Sequence, residues 1–432
     1  MTRLITSNEE SRVLRYIDNS RAELVKFLQE LIRGESITGR EAVSQGPVSD
    51  ILKGLGFSVD AWEPSRKDLG KYTRFLPENG DFSGRPNVVG ILRGSGGKKK
   101  RQTLAFNGHI DVVPAGEESL WKYGPWEPTV KGGKVFGRGS CDMKAGLAAA
   151  IFAAKALVES EIKLENDLLL ESVIGEENGG VGTLATILRG YVPDATIICE
   201  PTNLELLIAQ CGCLMFRLHV FGKAAHGASR YLGVSALEEF QPVHDSLLKL
   251  EKKRKKSFKN SLFAQIPNPV TLSIGTVVAG NWDSTVPEEL VAEGRYGVWP
   301  GESLEHAGKE FLDAVKIASS SSLWLRKHEP KVEWFGPQWE SCELPRNHWL
   351  VKLVAQSYFE VEGETPRIGG EPGGTDMRLY TNVAGVPSLL FGPGDGSVAH
   401  FRDEFVKVND LIKACRVYAS AALNFGKTRK EN

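Results

Sequence analysis

Apolar positions recur at helical spacing from early in the chain. Between residues 8 and 56, Leu14, Ile17, Leu24, Phe27, Leu28 and Leu31 fall three to four apart, the stripe of a helix buried along one face. A second helix is predicted over 42–54, closing on a glycine. From residue 87 the period changes. Short apolar runs at 87–92, 103–106, 167–174 and 195–199 alternate with helical stretches at 143–158 and 182–188. Strand and helix in alternation predict an α/β fold, a mixed and largely parallel sheet flanked by helices.

The rhythm shifts again near residue 211. Strands at 216–221, 270–278, 290–298 and 331–335, with helices at 235–253 and 303–318, read β-α-β-β-α-β. That order is the ferredoxin-like signature and predicts an inserted α+β domain of about 120 residues. Helix and strand then resume at 348–360, 388–391 and 409–425. The expected organisation is a first domain in two parts, 1–211 and 336–432, interrupted by a domain at 212–335.

With 53 basic and 54 acidic side chains the net charge is −1, which excludes a polyanion binder held by overall charge and lends no support to a membrane-surface role. Two basic runs, residues 98–101 and 252–256, lack interleaved aromatics and read as a solvated loop and a frayed helix end. No nucleic-acid or membrane partner is expected. The first ten residues carry charge and no apolar core, and the longest apolar run, 147–157, is interrupted by Lys155. Six cysteines in 432 residues are not a disulfide framework, so reduced thiols and a cytoplasmic setting are expected.

The chemistry concentrates where strands end. Phe106-Asn107-Gly108-His109-Ile110-Asp111 follows one strand, Gly175-Glu176-Glu177-Asn178-Gly179-Gly180 another, and Cys199-Glu200-Pro201-Thr202 a third. Gly137-Arg138-Gly139-Ser140-Cys141-Asp142-Met143 opens a helix, and Ser397-Val398-Ala399-His400 comes about 200 residues after Glu200. Sites in open α/β sheets form at the carboxyl ends of strands, so these five stretches can converge. Adjacent carboxylates repel unless a cation is near. Two imidazoles with three carboxylates suit two divalent ions.

Together these motifs are similar to those of the M20 family of metallopeptidases and deacylases, over essentially the whole chain. The resemblance implies that His109, Asp142 and Glu200 hold one zinc and that Asp142, Glu177 and His400 hold the other, with cobalt or manganese as possible replacements. It implies that Glu176 is the general base, that Asp111 orients His109 from behind, and that the Asp142–Met143 peptide is cis. It makes the inserted domain a lid, whose Gly222-Lys223-Ala224-Ala225-His226-Gly227 element supplies His226 as an oxyanion donor, and it implies a homodimer through that lid.

In Gly373-Gly374-Thr375-Asp376-Met377-Arg378, Arg378 is expected to bind a substrate carboxylate, with Gly373, Gly374 and Thr375 lining the approach. Arg138 is read as a strut for the loop before Asp142. Two positions depart from relatives: Ser284-Thr285-Val286-Pro287 lacks an asparagine, and Gly297-Val298-Trp299-Pro300 lacks an arginine. The expected activity is removal of a small N-acyl group from an amino acid or related amine, most like acetylornithine deacetylase. Deformylation of an aminopyrimidine-type amine, desuccinylation, dipeptide cleavage and a non-catalytic binder are the alternatives.

Overall fold

The computed structural model describes residues 8–72, 80–97 and 101–426, so the lysines of the 98–101 basic run lie outside them. The chain forms two compact units, residues 1–208, 344–369 and 375–432 in one and 209–343 with 370–374 in the other. The expected lid region, 212–335, falls inside the second unit, which extends past it at both ends.

The first unit opens with three helices, α1 (Asn8–Asn19), α2 (Arg21–Arg33) and α3 (Ala42–Gly54); the first helical stretch of the hydrophobic pattern is broken at Ser20, and the second helix falls where it is predicted. Next come β1 (Ser58–Trp62), one helical turn α4 (Arg66–Leu69), β2 (Asn87–Leu92) and β3 (Thr103–His109). A hairpin of β4 (Thr129–Lys131) and β5 (Lys134–Phe136) precedes α5 (Lys144–Glu159), β6 (Asp167–Val173), α6 (Val181–Leu188), β7 (Ala195–Ile198) and β8 (Leu206–Gln210).

The second unit contributes β9 (Gly212–Phe221), α7 (Ala236–Ser257), β10 (Leu272–Ala279), β11 (Glu289–Val298), α8 (Leu304–Ser319), β12 (Lys331–Trp334) and β13 (Cys342–Glu343). The chain finishes with α9 (Trp349–Glu362), β14 (Ile368–Glu371), β15 (Ser388–Leu390), β16 (Phe405–Lys407) and α10 (Val408–Asn424).

In the first unit the main sheet runs β1-β2-β6-β3-β7-β15-β8. Its centre is parallel, β6 with β3, β3 with β7 and β7 with β15, while β2 and β8 attach antiparallel. β6 is buried along its whole length, as a central parallel strand covered on both faces must be. α5 explains the Ala-rich run: it packs against β3, α1, α2 and α10, so small side chains are needed all round. β16, β5 and β4 form a separate three-stranded sheet.

In the second unit the strands run β10-β11-β9-β12, all antiparallel, which is the ferredoxin-like arrangement. β9 alternates strictly: Leu214, Phe216, Leu218 and Val220 are buried, and the residues between them are half-buried. Those four meet α7 and α8 in one core through Phe240, Leu247 and Phe311.

One sequence reading is corrected here. The basic run at 252–256 is not a frayed end, because α7 continues to Ser257; its four lysines are exposed, as a solvated face requires, but Arg254 is fully buried. Its guanidinium binds Glu302 at 2.6 Å and Glu310 at 2.7 Å, and its plane lies 4.4 Å from the Trp299 ring centroid. All six cysteines are buried, and none forms a disulfide. Among the described residues, no helix is long and apolar enough to cross a membrane.

Candidate metal centre

Three neighbouring parallel strands end side by side. β3 stops at His109, which stands opposite Val173 of β6, and Asn107 stands opposite Ile198 of β7. The residues that follow each strand, Ile110-Asp111, Gly175-Glu176-Glu177 and Cys199-Glu200, therefore emerge at one edge. Asp142 sits at the entrance to α5, and its peptide to Met143 is cis, as the resemblance implied. His400 arrives on the loop between β15 and β16.

Asp142 lies between the two histidines. Its Oδ1 is 3.1 Å from His109 Nε2 and its Oδ2 is 3.4 Å from His400 Nε2. Glu200 approaches His109 Nε2 at 3.8 Å, and Glu177 approaches His400 Nε2 at 3.1 Å. Ligand atoms of His109, Asp142 and Glu177 all lie within 4.8 Å of one another, and so do those of His109, Glu176 and Glu200. The structure thus brings together every expected ligand and the expected base.

The electrostatics are those of a site short of positive charge. Burial pushes the Glu176 carboxyl well above the usual range, and Asp376 and Glu200 push it further. Glu200 is raised chiefly by burial as well. His400 is pushed up to about 10 by hydrogen bonds to Asp142 and Glu177. For His109, burial opposes the charged form but the Glu200 and Asp142 carboxylates outweigh it, so its affinity for a proton rises. Oε1 of Glu177 is buried with no hydrogen-bond partner. Four carboxylates, two imidazoles and an unpartnered carboxylate oxygen fit divalent cations better than they fit each other.

Asp111 reaches His109 through its backbone rather than its side chain. The atom that holds His109 Nδ1 is the Asp111 carbonyl oxygen, at 2.8 Å, while the carboxylate stays 3.7 Å away. That carboxylate instead accepts the backbone N–H groups of Glu176 (3.1 Å) and Glu177 (3.3 Å) and the Thr38 hydroxyl (2.9 Å). Burial pushes it up to about 7. One residue thus fixes a ring with its backbone and the two-glutamate turn with its side chain.

Arg378 is fully buried rather than presented to a ligand. Its Nη1 donates to the Thr375 carbonyl at 2.6 Å and its Nη2 to the Gly179 carbonyl at 2.8 Å, so the fork braces the loop after Glu177. Thr375 is buried too, its Oγ1 accepting the Met377 N–H at 3.2 Å. Gly373 and Gly374 belong to the second unit, where a Cβ on Gly374 would stand 2.4 Å from the Trp339 ring, so its missing side chain makes room for that indole. His226 also lies in the second unit and is exposed. Its Nδ1 accepts the Ala228 N–H at 3.1 Å, which leaves the ring hydrogen of the neutral imidazole on Nε2.

Sequence reasoning missed the buried polar layer under the site. Glu171 in β6 accepts from Asn107 at 3.0 Å and from the Tyr380 hydroxyl, and Asp376 lies buried beside Gly180. It also missed Glu404, four residues after His400. The available signal was a glutamate directly after three consecutive leucines at Glu171, and an acidic residue directly before a short apolar run at Glu404.

Comparison with known proteins agrees with this geometry. The sequence model described as "Peptidase family M20/M25/M40" matches residues 105–424. An N-formyl-4-amino-5-aminomethyl-2-methylpyrimidine deformylase of Bacillus subtilis is 28% identical, over 96% of this chain and 97% of that protein. A probable succinyl-diaminopimelate desuccinylase of Staphylococcus aureus is 26% identical over 76% of this chain and 84% of its own. Human carnosine dipeptidase 1 shares the fold, with a TM-score of 0.74 at 16% identity, covering 97% of this chain and 99% of that one. So does an M20 metallo-carboxypeptidase of Sulfolobus solfataricus, TM-score 0.71 at 18% identity, with 93% and 98% covered.

Proposed function

The chain belongs to peptidase family M20/M25/M40, and from that premise we propose that it removes the formyl group from an N-formylated aminopyrimidine-type amine. It is a metal-dependent hydrolase that splits the amide bond of N-acyl amines; the proposal concerns which acyl group and which amine. The match to the deformylases over 96% of this chain carries the reading and favours it over an acetylornithine-type deacetylase. Arg378 supports it: the guanidinium of the expected carboxylate clamp is given to backbone carbonyls, and Gly297-Val298-Trp299-Pro300 lacks the arginine that relatives carry.

His109, Asp142 and Glu200 would hold one divalent cation and Asp142, Glu177 and His400 a second, zinc being the first choice of such a donor set and cobalt or manganese alternatives. Bound, the pair supplies Lewis acidity that makes water acidic enough to give up a proton near neutral pH. Glu176 takes that proton and returns it to the departing amine. Asp111 keeps it in place through its backbone N–H. His226, with its ring hydrogen on Nε2, has the donor that the oxyanion role implied by the resemblance requires.

A homodimer through the second unit is part of the proposal. β10 is an edge strand there, and Val277 and Val278 are 48% and 66% exposed. A cytoplasmic setting fits six buried cysteines that form no disulfide.

The test is a hydrolysis screen of N-formyl, N-acetyl and N-succinyl amines with zinc, cobalt or manganese added. Formate release from the formylated aminopyrimidine should lead, and a chelator should stop it. Glu176→Gln should keep its metal content and lose about 10²–10⁴-fold in kcat. Faster turnover of the acetyl or succinyl series, or full activity after chelation, would overturn the assignment.

A further inference from the structure

Arg138 and Glu404 stand 266 residues apart in sequence and meet in a buried ion pair, Nη1 to Oε2 2.6 Å. Their side chains are 3% and 1% exposed. The small sheet brings them together. β5 and β16 pair with Phe136 opposite Phe405, so the residues just after β5 face those just before β16, and the Gly137 N–H donates to the Glu404 carbonyl at 3.0 Å. One of the two loops leads to Asp142, and the other comes from His400.

Each end of the pair grips backbone beside a ligand. Glu404 Oε1 accepts the N–H groups of Cys141 (2.8 Å) and Asp142 (3.0 Å). Arg138 Nη2 donates to the His400 carbonyl (3.3 Å) and Nη1 to the Phe401 carbonyl (3.3 Å). His400 itself has φ +64°, a left-handed conformation that side chains other than glycine seldom adopt, so its carbonyl gains from a fixed donor. Arg138 is aimed by the Trp121 ring, whose centroid lies 5.0 Å from the guanidinium carbon. The expected strut before Asp142 therefore has a second half, and it reaches the other loop as well.

We propose that the Arg138–Glu404 pair is a positioning device that sets the spacing of Asp142 and His400, and so governs affinity at the cation position these two share with Glu177 rather than at the one formed by His109, Asp142 and Glu200. The inference rests on the ligand reading above. Partners that orient ligands from behind typically contribute 10–100-fold to metal affinity. A pair that served only to hold the fold together would lower stability without telling the two positions apart.

The experiment titrates the metal-free full chain with Co²⁺, reading equivalents bound by calorimetry and coordination by the visible spectrum, with no substrate present. Glu404→Gln removes the charge at near-constant size. Arg138→Lys keeps the charge but not the fork, and tests the same idea should the first variant fold poorly. Melting of the metal-free proteins monitors folding. The wild type should bind two equivalents. Both variants should retain one at wild-type affinity and weaken the other by 10–100-fold, with loss of its spectral contribution. Unchanged binding of both equivalents, or equal weakening of both, would overturn the positioning role while leaving the ligand reading intact. A wild-type chain that binds no Co²⁺ would overturn the ligand reading and this inference together.

Discussion

Glu171 is a carboxyl in the middle of a strand that is buried from end to end, and burial pushes it up to about 7. Its ordinary value is 4.5, so between about pH 4.5 and 7 the folded chain keeps a proton that the unfolded chain has released. Stability must then fall as pH rises across that window, by up to roughly 3 kcal/mol for such a shift. Glu171→Gln keeps the shape and removes the charge. The melting temperature of the metal-free variant should drop less between pH 5 and pH 8 than that of the wild type, and identical slopes would refute the role given to burial. Residues of this kind mark the limit of reading side chains from sequence. His109, Glu177 and Glu200 were legible because strand ends and flanking glycines announce an exposed edge. Arg378 was misread because sequence does not tell a guanidinium offered to a ligand from one spent on backbone carbonyls 199 residues away at Gly179.

At the scale of elements, α5 shows how packing and chemistry depend on one another. A Cβ on Gly146 would stand 1.8 Å from the Cys199 carbonyl oxygen, so the helix rests directly on the backbone that presents Glu200. Gly146→Ala must move one or the other. It should cost about 1–3 kcal/mol in denaturant unfolding and weaken cation binding at the His109, Asp142 and Glu200 position. Gly54→Ala at the end of α3 is the control. A Cβ there meets nothing within 4 Å, and the substitution should be stabilising by about 0.5–1 kcal/mol. Equal effects of the two would contradict the close contact. The long helices and the inner strands were legible because they carry enough residues to show a period. β4, β5 and β16 have three residues each, too few to show one, and they are the sheet that joins the Asp142 and His400 loops.

For the whole molecule, composition settled little beyond excluding a polyanion binder, since a net charge of −1 says nothing about where charges sit. Order along the chain said more: the β-α-β-β-α-β run predicted the second unit's strand arrangement in advance. What it could not convey is which edges stay open. β10 offers exposed Thr276, Val277, Val278 and Ala279 along an unpaired side. Light scattering behind size-exclusion chromatography should give a dimer for the wild type and a monomer for Val278→Lys, a charge of the kind that blunts edges. A wild-type monomer at micromolar concentration would remove the dimer proposal.

The unit that carries the candidate metal centre is closed by residues 375–432, which follow a whole second unit in the chain. A ribosome therefore releases His109, Asp142 and Glu200 long before it makes His400. On the proposed ligand sets, the position that needs His400 would be the later of the two to be completed during synthesis, and a chain truncated before that residue should keep the donors of one position and lack the last donor of the other.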